Sequence, residues 1–306
     1  MVRLTSLLTI KTTARALLMP ALGVIDIAAL TAVADAAEPR PWQIGMQPPA
    51  TEVMDRLSAF HFALLIIIFA IATFVLALLV VAMWRFNHQR HPVPTRTSHN
   101  TVIEMLWTVV PVVILVGIAI PSFKLMYFMD RVPNPEMTIK VTGHQWYWSY
   151  EYPDQDGLTF DSNLIPDAEL KPGQKRLLDV DNPLVVPADT TIRVLITGTD
   201  VIHSWFVPSF GVQEYAIVGR LNESWMKIDH EGTYYGQCNQ ICGVNHAFMP
   251  VKVEAVTKDA FQHWLADAKK KFARGDDGSG ALRAAAVPER RDAAHPGAHG
   301  QLRSRE

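Results

Sequence analysis

Hydrophobic and polar positions divide the chain into three regimes. Arg3, Lys11 and Arg15 precede an apolar run from Ala16 to Ala34 that Pro20 and Asp26 interrupt. Small-residue patterns follow at Ala32-Val-Ala34 and Ala34-Asp-Ala36, so residues 1–36 read as a secretory signal peptide. Two longer apolar stretches come next. Phe62 to Met83 carries no charge and as a helix would extend roughly 33 Å, enough to cross a bilayer. Met105 to Phe123 is also free of acidic and basic residues, and its Pro111 and Pro121 are tolerable in a membrane helix whose neighbours satisfy the freed backbone groups. These stretches predict transmembrane helices over 60–84 and 104–126, an N-terminal segment over 37–59 and a loop over 85–103. From Asp130 onward Met137-Thr-Ile-Lys-Val-Thr, Ile192-Arg-Val-Leu-Ile and Val251-Lys-Val-Glu-Ala-Val alternate as half-buried strands do, with Pro and Gly between them. Many short strands without a long helical pattern predict an all-β, cupredoxin-like Greek-key barrel over 130–256. Thr257 is placed to cap a helix over 257–272 whose Phe261, Trp264, Leu265 and Phe272 share a face. Residues 273–306, rich in Ala, Gly, Arg and Asp, predict a disordered tail.

Charge adds orientation. The 306 residues sum to a formal charge of −2, but the distribution is uneven. Arg85, Arg90 and Arg96 crowd the loop between the apolar stretches, with no acidic residue before Glu104. By the positive-inside rule that loop is cytoplasmic and both flanking regions face outward. With an export signal, this implies the inner membrane of a bacterium, crossed twice, with the barrel in the periplasm. From Asp130 to Val256 there are 17 acidic and 9 basic side chains, a balance of −8. Such a domain has no use for nucleic acid, but an acidic face near Asp200 would steer a basic protein partner.

The candidate chemistry lies in Tyr234-Tyr-Gly-Gln-Cys238-Asn-Gln-Ile-Cys242-Gly-Val-Asn-His246-Ala-Phe-Met249-Pro, which holds both cysteines of the chain. His203 lies upstream in Asp200-Val-Ile-His203-Ser-Trp. Two thiolates, two imidazoles and a thioether form a soft donor set that suits copper. Two cysteines in an exported domain also suit a disulfide, and two Cys with two His suit zinc. Zinc has little use for Met249, and a disulfide uses none of His203, His246 and Met249. A mononuclear blue-copper site needs one thiolate, whereas two on a tight loop suffice to bridge a pair of copper ions. There is no C-x-x-C-H for covalent haem.

Five motifs occur in order behind the predicted anchor: Gly143-His-Gln-Trp146-Tyr-Trp148-Ser-Tyr-Glu-Tyr, Leu170-Lys-Pro-Gly, Asp200-Val-Ile-His203-Ser-Trp, Gly219-Arg220-Leu-Asn and the cysteine loop. From about Trp42 to Trp264 the chain resembles cytochrome c oxidase subunit II. The resemblance implies a dinuclear copper centre, CuA, held by His203, Cys238, the main-chain carbonyl of Gln240, Cys242, His246 and Met249. It implies that electrons arrive from cytochrome c and pass to haem in subunit I, where haem and CuB reduce oxygen to water while the complex translocates protons; subunit III is a further expected partner. Trp146 would be the point of electron acceptance, Asp200 and Tyr147 would take part in docking, and Glu104 would lie at the mouth of a proton pathway. Glu104 is equally suited to anchoring, as a carboxylate at a helix N-terminus. His144, Trp146, Trp148, Tyr150 and Tyr152 are expected on one face of one strand. Gln240 stands where the family more commonly has glutamate, and a neutral amide is a poorer ligand for a hard cation; this weakens the case for a magnesium ion shared with subunit I.

Overall fold

The computed structural model describes residues 37–93 and 95–272; the expected signal peptide and tail lie outside them. Helix α1 spans Glu52–Arg85 and α2 spans Thr101–Met129, each an apolar rod long enough to cross a membrane. Both start on side-chain caps. Thr51 accepts from the Met54 amide, and Asn100 accepts from the Val102 and Ile103 amides. The Glu104 carboxylate returns to the Asn100 amide at 3.3 Å, closing a reciprocal cap of the kind that contributes about 1 kcal/mol per side chain.

Ten strands follow: β1 Met137–His144, β2 Tyr147–Tyr152, β3 Leu158–Ser162, β4 Leu184–Pro187, β5 Ile192–Gly198, β6 His203–Val207, β7 Val212–Ala216, β8 Asn222–Met226, β9 Gly232–Cys238 and β10 Pro250–Val256. They form two five-stranded sheets, ordered β3-β2-β1-β5-β8 and β4-β10-β9-β6-β7. Most neighbours are antiparallel, while β1 with β5 and β10 with β4 run parallel. Alternation does the work expected of it. Met137, Ile139 and Val141 of β1, Ile192, Val194 and Ile196 of β5, and Val251, Val253 and Ala255 of β10 are all buried in one core between the sheets. Helix α3, Lys258–Phe272, closes one side by burying Phe261, Leu265 and Ala268, and Phe272 stacks on Phe160 at 4.7 Å.

One element departs from the sequence reading. The aromatic run is not a single strand: β1 ends at His144, Gln145 and Trp146 form the turn, and β2 begins at Tyr147, with His144 paired to Tyr147 across the hairpin. Only Trp148, Tyr150 and Tyr152 share the inward face of β2, and all three are fully buried. Two-residue hairpins usually advertise themselves with Asn or Gly, and this one has neither.

Among the described residues the domain is fastened to its anchor at several places, one of them Ala50, whose amide donates to the Ser209 carbonyl and whose carbonyl accepts from the Asp229 amide. The Thr51 hydroxyl donates to the Phe210 carbonyl at 2.7 Å. The Trp225 indole donates to the Met129 carbonyl at 3.0 Å. Ahead of α1, the Ala37 amide donates to Thr233 and its carbonyl accepts from Tyr235, adding a short parallel bridge to β9.

Candidate metal centre

The site is built where three chain segments meet at one end of the sandwich. β6 begins with His203, β9 ends with Cys238, and the loop from there to β10 carries Cys242, His246 and Met249. Main-chain bonds shape the loop. The Asn239 amide donates to the Ser204 carbonyl, tying the loop to β6, and a single turn of 3-10 helix at His246–Phe248 brings the chain back toward β10.

Every soft donor singled out in the sequence converges here. The two sulfurs lie 3.9 Å apart, and both cysteines are buried and unbridged. Cys242 Sγ is 3.5 Å from His246 Nδ1 and 3.5 Å from Met249 Sδ. A ring nitrogen of His203 and both Sγ atoms lie within 4.8 Å of one another. The Gln240 carbonyl stands 3.3 Å from Cys238 Sγ. A sulfur separation near 4 Å is almost twice the length of a disulfide bond, which leaves room for something between them.

The wall behind these donors is the tip of the β1–β2 hairpin. Gln145 Nε2 and the Trp146 indole N–H both donate to the Cys242 carbonyl, at 2.8 and 3.2 Å. One layer deeper, the buried Trp148 indole donates to the Met249 carbonyl at 3.2 Å, and its ring meets His203 edge-on. The fit leaves no space for side chains at two glycines. A Cβ at Gly143 would come within 2.9 Å of the His203 ring, and one at Gly243, whose φ is +123°, would meet Trp146 at 3.0 Å.

Asp200 holds His203 by its outer nitrogen: Oδ1 lies 2.9 Å from Nε2, while Oδ2 accepts from the Gln145 amide at 2.7 Å. A ring nitrogen fixed by a carboxylate frees the other as a ligand atom. His203 Nδ1 is buried, faces the Cys238 thiol and pairs with no nitrogen or oxygen among the described residues. The thiols differ sharply. Burial raises Cys238, but the adjacent His203 ring and the Ser204 main chain outweigh it and draw the thiol down to about 7. Burial and the charge gathering on Cys238 push Cys242 up to about 12. A cation held between the two sulfurs would favour the thiolate form of both. A buried imidazole nitrogen, paired sulfurs and a thioether fit copper, and they fit a disulfide poorly.

The other residues singled out in the sequence lie at two distances from this cluster. Trp146 is half-buried against it, and Tyr147 stacks on His144 with ring centroids 4.5 Å apart. Glu104 lies on α2, in the anchor rather than at the centre. Sequence reasoning missed Gln145 and Trp148 as supports of the loop and Asp200 as the orienter of His203. The signal for Asp200 was present in its spacing of three residues from the histidine.

A β-sandwich carrying buried paired cysteines beside a histidine, fixed to a two-helix apolar anchor, defines a membrane-tethered protein of cupredoxin type. The chain belongs to the cytochrome c oxidase subunit II family. The periplasmic domain of that family matches residues 137–256 and its transmembrane domain matches residues 39–125. The probable cytochrome c oxidase subunit 2 of Rickettsia bellii is 50% identical over 242 residues, covering 79% of this chain and 90% of that one. Cytochrome c oxidase subunit 2 of Zea mays is 51% identical over 242 residues, covering 77% and 92%. Among solved structures, the periplasmic domain of subunit II of cytochrome oxidase from Bradyrhizobium japonicum is 51% identical with a TM-score of 0.44, covering 46% of this chain and 99% of that one.

Proposed function

We propose that this chain is the electron-accepting subunit of a cytochrome c oxidase, with His203, Cys238, the Gln240 carbonyl, Cys242, His246 and Met249 holding a CuA pair. The convergence of the two sulfurs with a buried nitrogen of His203 carries the reading. Bound copper supplies one-electron transfer with little change of shape. The chain's own residues do the rest. Cys238 and Cys242 would bridge, and the two histidines would each hold one metal. Asp200 fixes the His203 ring, Trp148 fixes the backbone of Met249, and Gln145 with Trp146 fixes the backbone of Cys242.

Trp146 touches the Cys242 carbonyl from the solvent side, which suits it to receive an electron from cytochrome c; Asp200 and Tyr147 lie beside it to meet the carrier. The electron would then pass to haem in subunit I of a complex that reduces oxygen and translocates protons. The two apolar helices and the arginine-rich loop between them support a location in the bacterial inner membrane, with the sandwich in the periplasm. Magnesium is left out of the proposal, because Gln240 offers an amide where a hard cation favours a carboxylate.

The test is to load the full chain, purified in detergent, with copper and record visible absorption, EPR and copper content. Two coppers per chain, and hyperfine structure of one electron shared by two nuclei, are expected. A single copper, or a Cys238–Cys242 disulfide with none, would overturn the proposal.

A further inference from the structure

Near the sandwich end of the anchor, α1 and α2 flank a groove of about 480 Å³. Its walls are almost wholly apolar, among them Ala63, Ile67, Gly117 and Pro121, and its two charged members are Arg56 and Lys124. The depth of these cations follows from helix geometry. From Arg85 to Arg56 along α1 the rise is about 43 Å, and from Glu104 to Lys124 along α2 about 30 Å. The first matches a bilayer including both headgroup layers, and the second matches the hydrocarbon core alone. Arg56 therefore stands at headgroup level, and Lys124 at the boundary where acyl chains meet their glycerol esters. Both lie at the opposite end of the hairpin from the Arg85–Arg96 loop, against the usual bias of basic residues.

Their partners leave charge to spare. Arg56 is held by Glu52 and lies over the Phe128 ring at 3.8 Å, so its position is fixed. Glu52 uses the Nε and one terminal N–H of a group that has five donors. Lys124 is exposed and has no ion-pair or hydrogen-bond partner among the described residues. An apolar groove of this length with cations at one end is complementary to an amphiphile with a negative head. An apolar helix seated in the groove would leave Lys124 without a counter-charge.

We propose that this groove binds one anionic phospholipid of the outer leaflet, its phosphate between Arg56 and Lys124 and one acyl chain along Ala63, Ile67 and Gly117. The proposal uses the outward orientation given above but does not depend on copper. A basic residue near the bilayer surface contributes on the order of fivefold in affinity for an anionic lipid, so the pair should discriminate by roughly tenfold or more.

Gly117 offers a second handle. A Cβ there would meet nothing within 4 Å, so a side chain can start from this position toward the groove that Gly117 lines. The experiment is native mass spectrometry of the oxidase complex containing this chain, stripped of lipid and resupplied with phosphatidylglycerol or phosphatidylcholine. The wild type is expected to retain one phosphatidylglycerol in preference to phosphatidylcholine. Arg56→Gln with Lys124→Gln should lower that retention about tenfold, and Gly117→Leu should abolish retention of either lipid, with copper content unchanged throughout. Equal retention of both lipids by the wild type, or unchanged retention in the double variant, would overturn the proposal. So would loss of a partner subunit from Gly117→Leu, which would assign the groove to a protein helix.

Discussion

Two tryptophans two residues apart meet the same loop for different ends. Trp146 is half-buried and touches the Cys242 carbonyl from outside, whereas Trp148 is fully buried and holds the Met249 carbonyl from within. Trp146→Phe should leave the copper absorption bands in place and slow reduction by cytochrome c tenfold or more, about 1.4 kcal/mol in the barrier. Trp148→Phe should instead shift the bands and lower stability by about 1 kcal/mol, since it removes one of two hydrogen bonds that the Met249 carbonyl accepts, the other coming from the Cys238 amide. Stopped-flow reduction alongside absorption spectra separates them; unchanged turnover in Trp146→Phe would remove that residue from the path. This distinction was not legible in the sequence. The donors declared themselves because thiolate, imidazole and thioether are rare and chemically specific. The tryptophans did not, because strict alternation carried the reading straight through a turn that lacks the usual turn residues.

At the level of elements, sequence periodicity located the strands well and the helix ends less so. Hydropathy reports the lipid-facing part of α1, while the helix starts at Glu52, eight residues before the predicted boundary, because its first turns pack on the domain instead of on lipid. Val53 and Met54 are buried there. A feature that no pattern announced is the pairing of Lys252 on β10 with Asp179, which is almost fully buried and bonded at 2.9 Å. It secures the segment before β4 to the second sheet. Removing one partner of such a pair costs about 3 kcal/mol or more, so Lys252→Met should be strongly destabilising. Burial alone would depress the Lys252 ammonium, but Asp179 and Glu254 carry it above the ordinary 10.5. The contribution is then complete below about pH 10.5 and fades as pH rises through the higher folded value. Thermal melts against pH should show the wild type losing stability above that point more steeply than Lys252→Met; parallel curves would show that the pair contributes nothing.

Across the whole molecule, the sandwich combines an acidic excess with an exposed apolar tip. Ile241 and Val244 on the metal loop are 81% and 87% exposed, with Trp146 and Asp200 near them. An acidic domain with an apolar contact point attracts a basic carrier from a distance and lets go of it quickly. The second-order rate of reduction by cytochrome c should therefore fall steeply with added salt, as screening shortens to about 8 Å at physiological ionic strength. A flat profile would mean that contact, not attraction, sets the rate.

The fastenings between domain and anchor bear on the proposed electron transfer. Transfer of an electron through protein weakens steeply with distance, so a centre on a loose tether would spend most of its time out of range of an acceptor in the bilayer. Thr51 on Phe210, Ala50 on Ser209 and Asp229, Trp225 on Met129 and Ala37 on β9 share the attachment. If the sulfur pair carries copper as proposed, these contacts would hold it at one height above the lipid and in range of that acceptor.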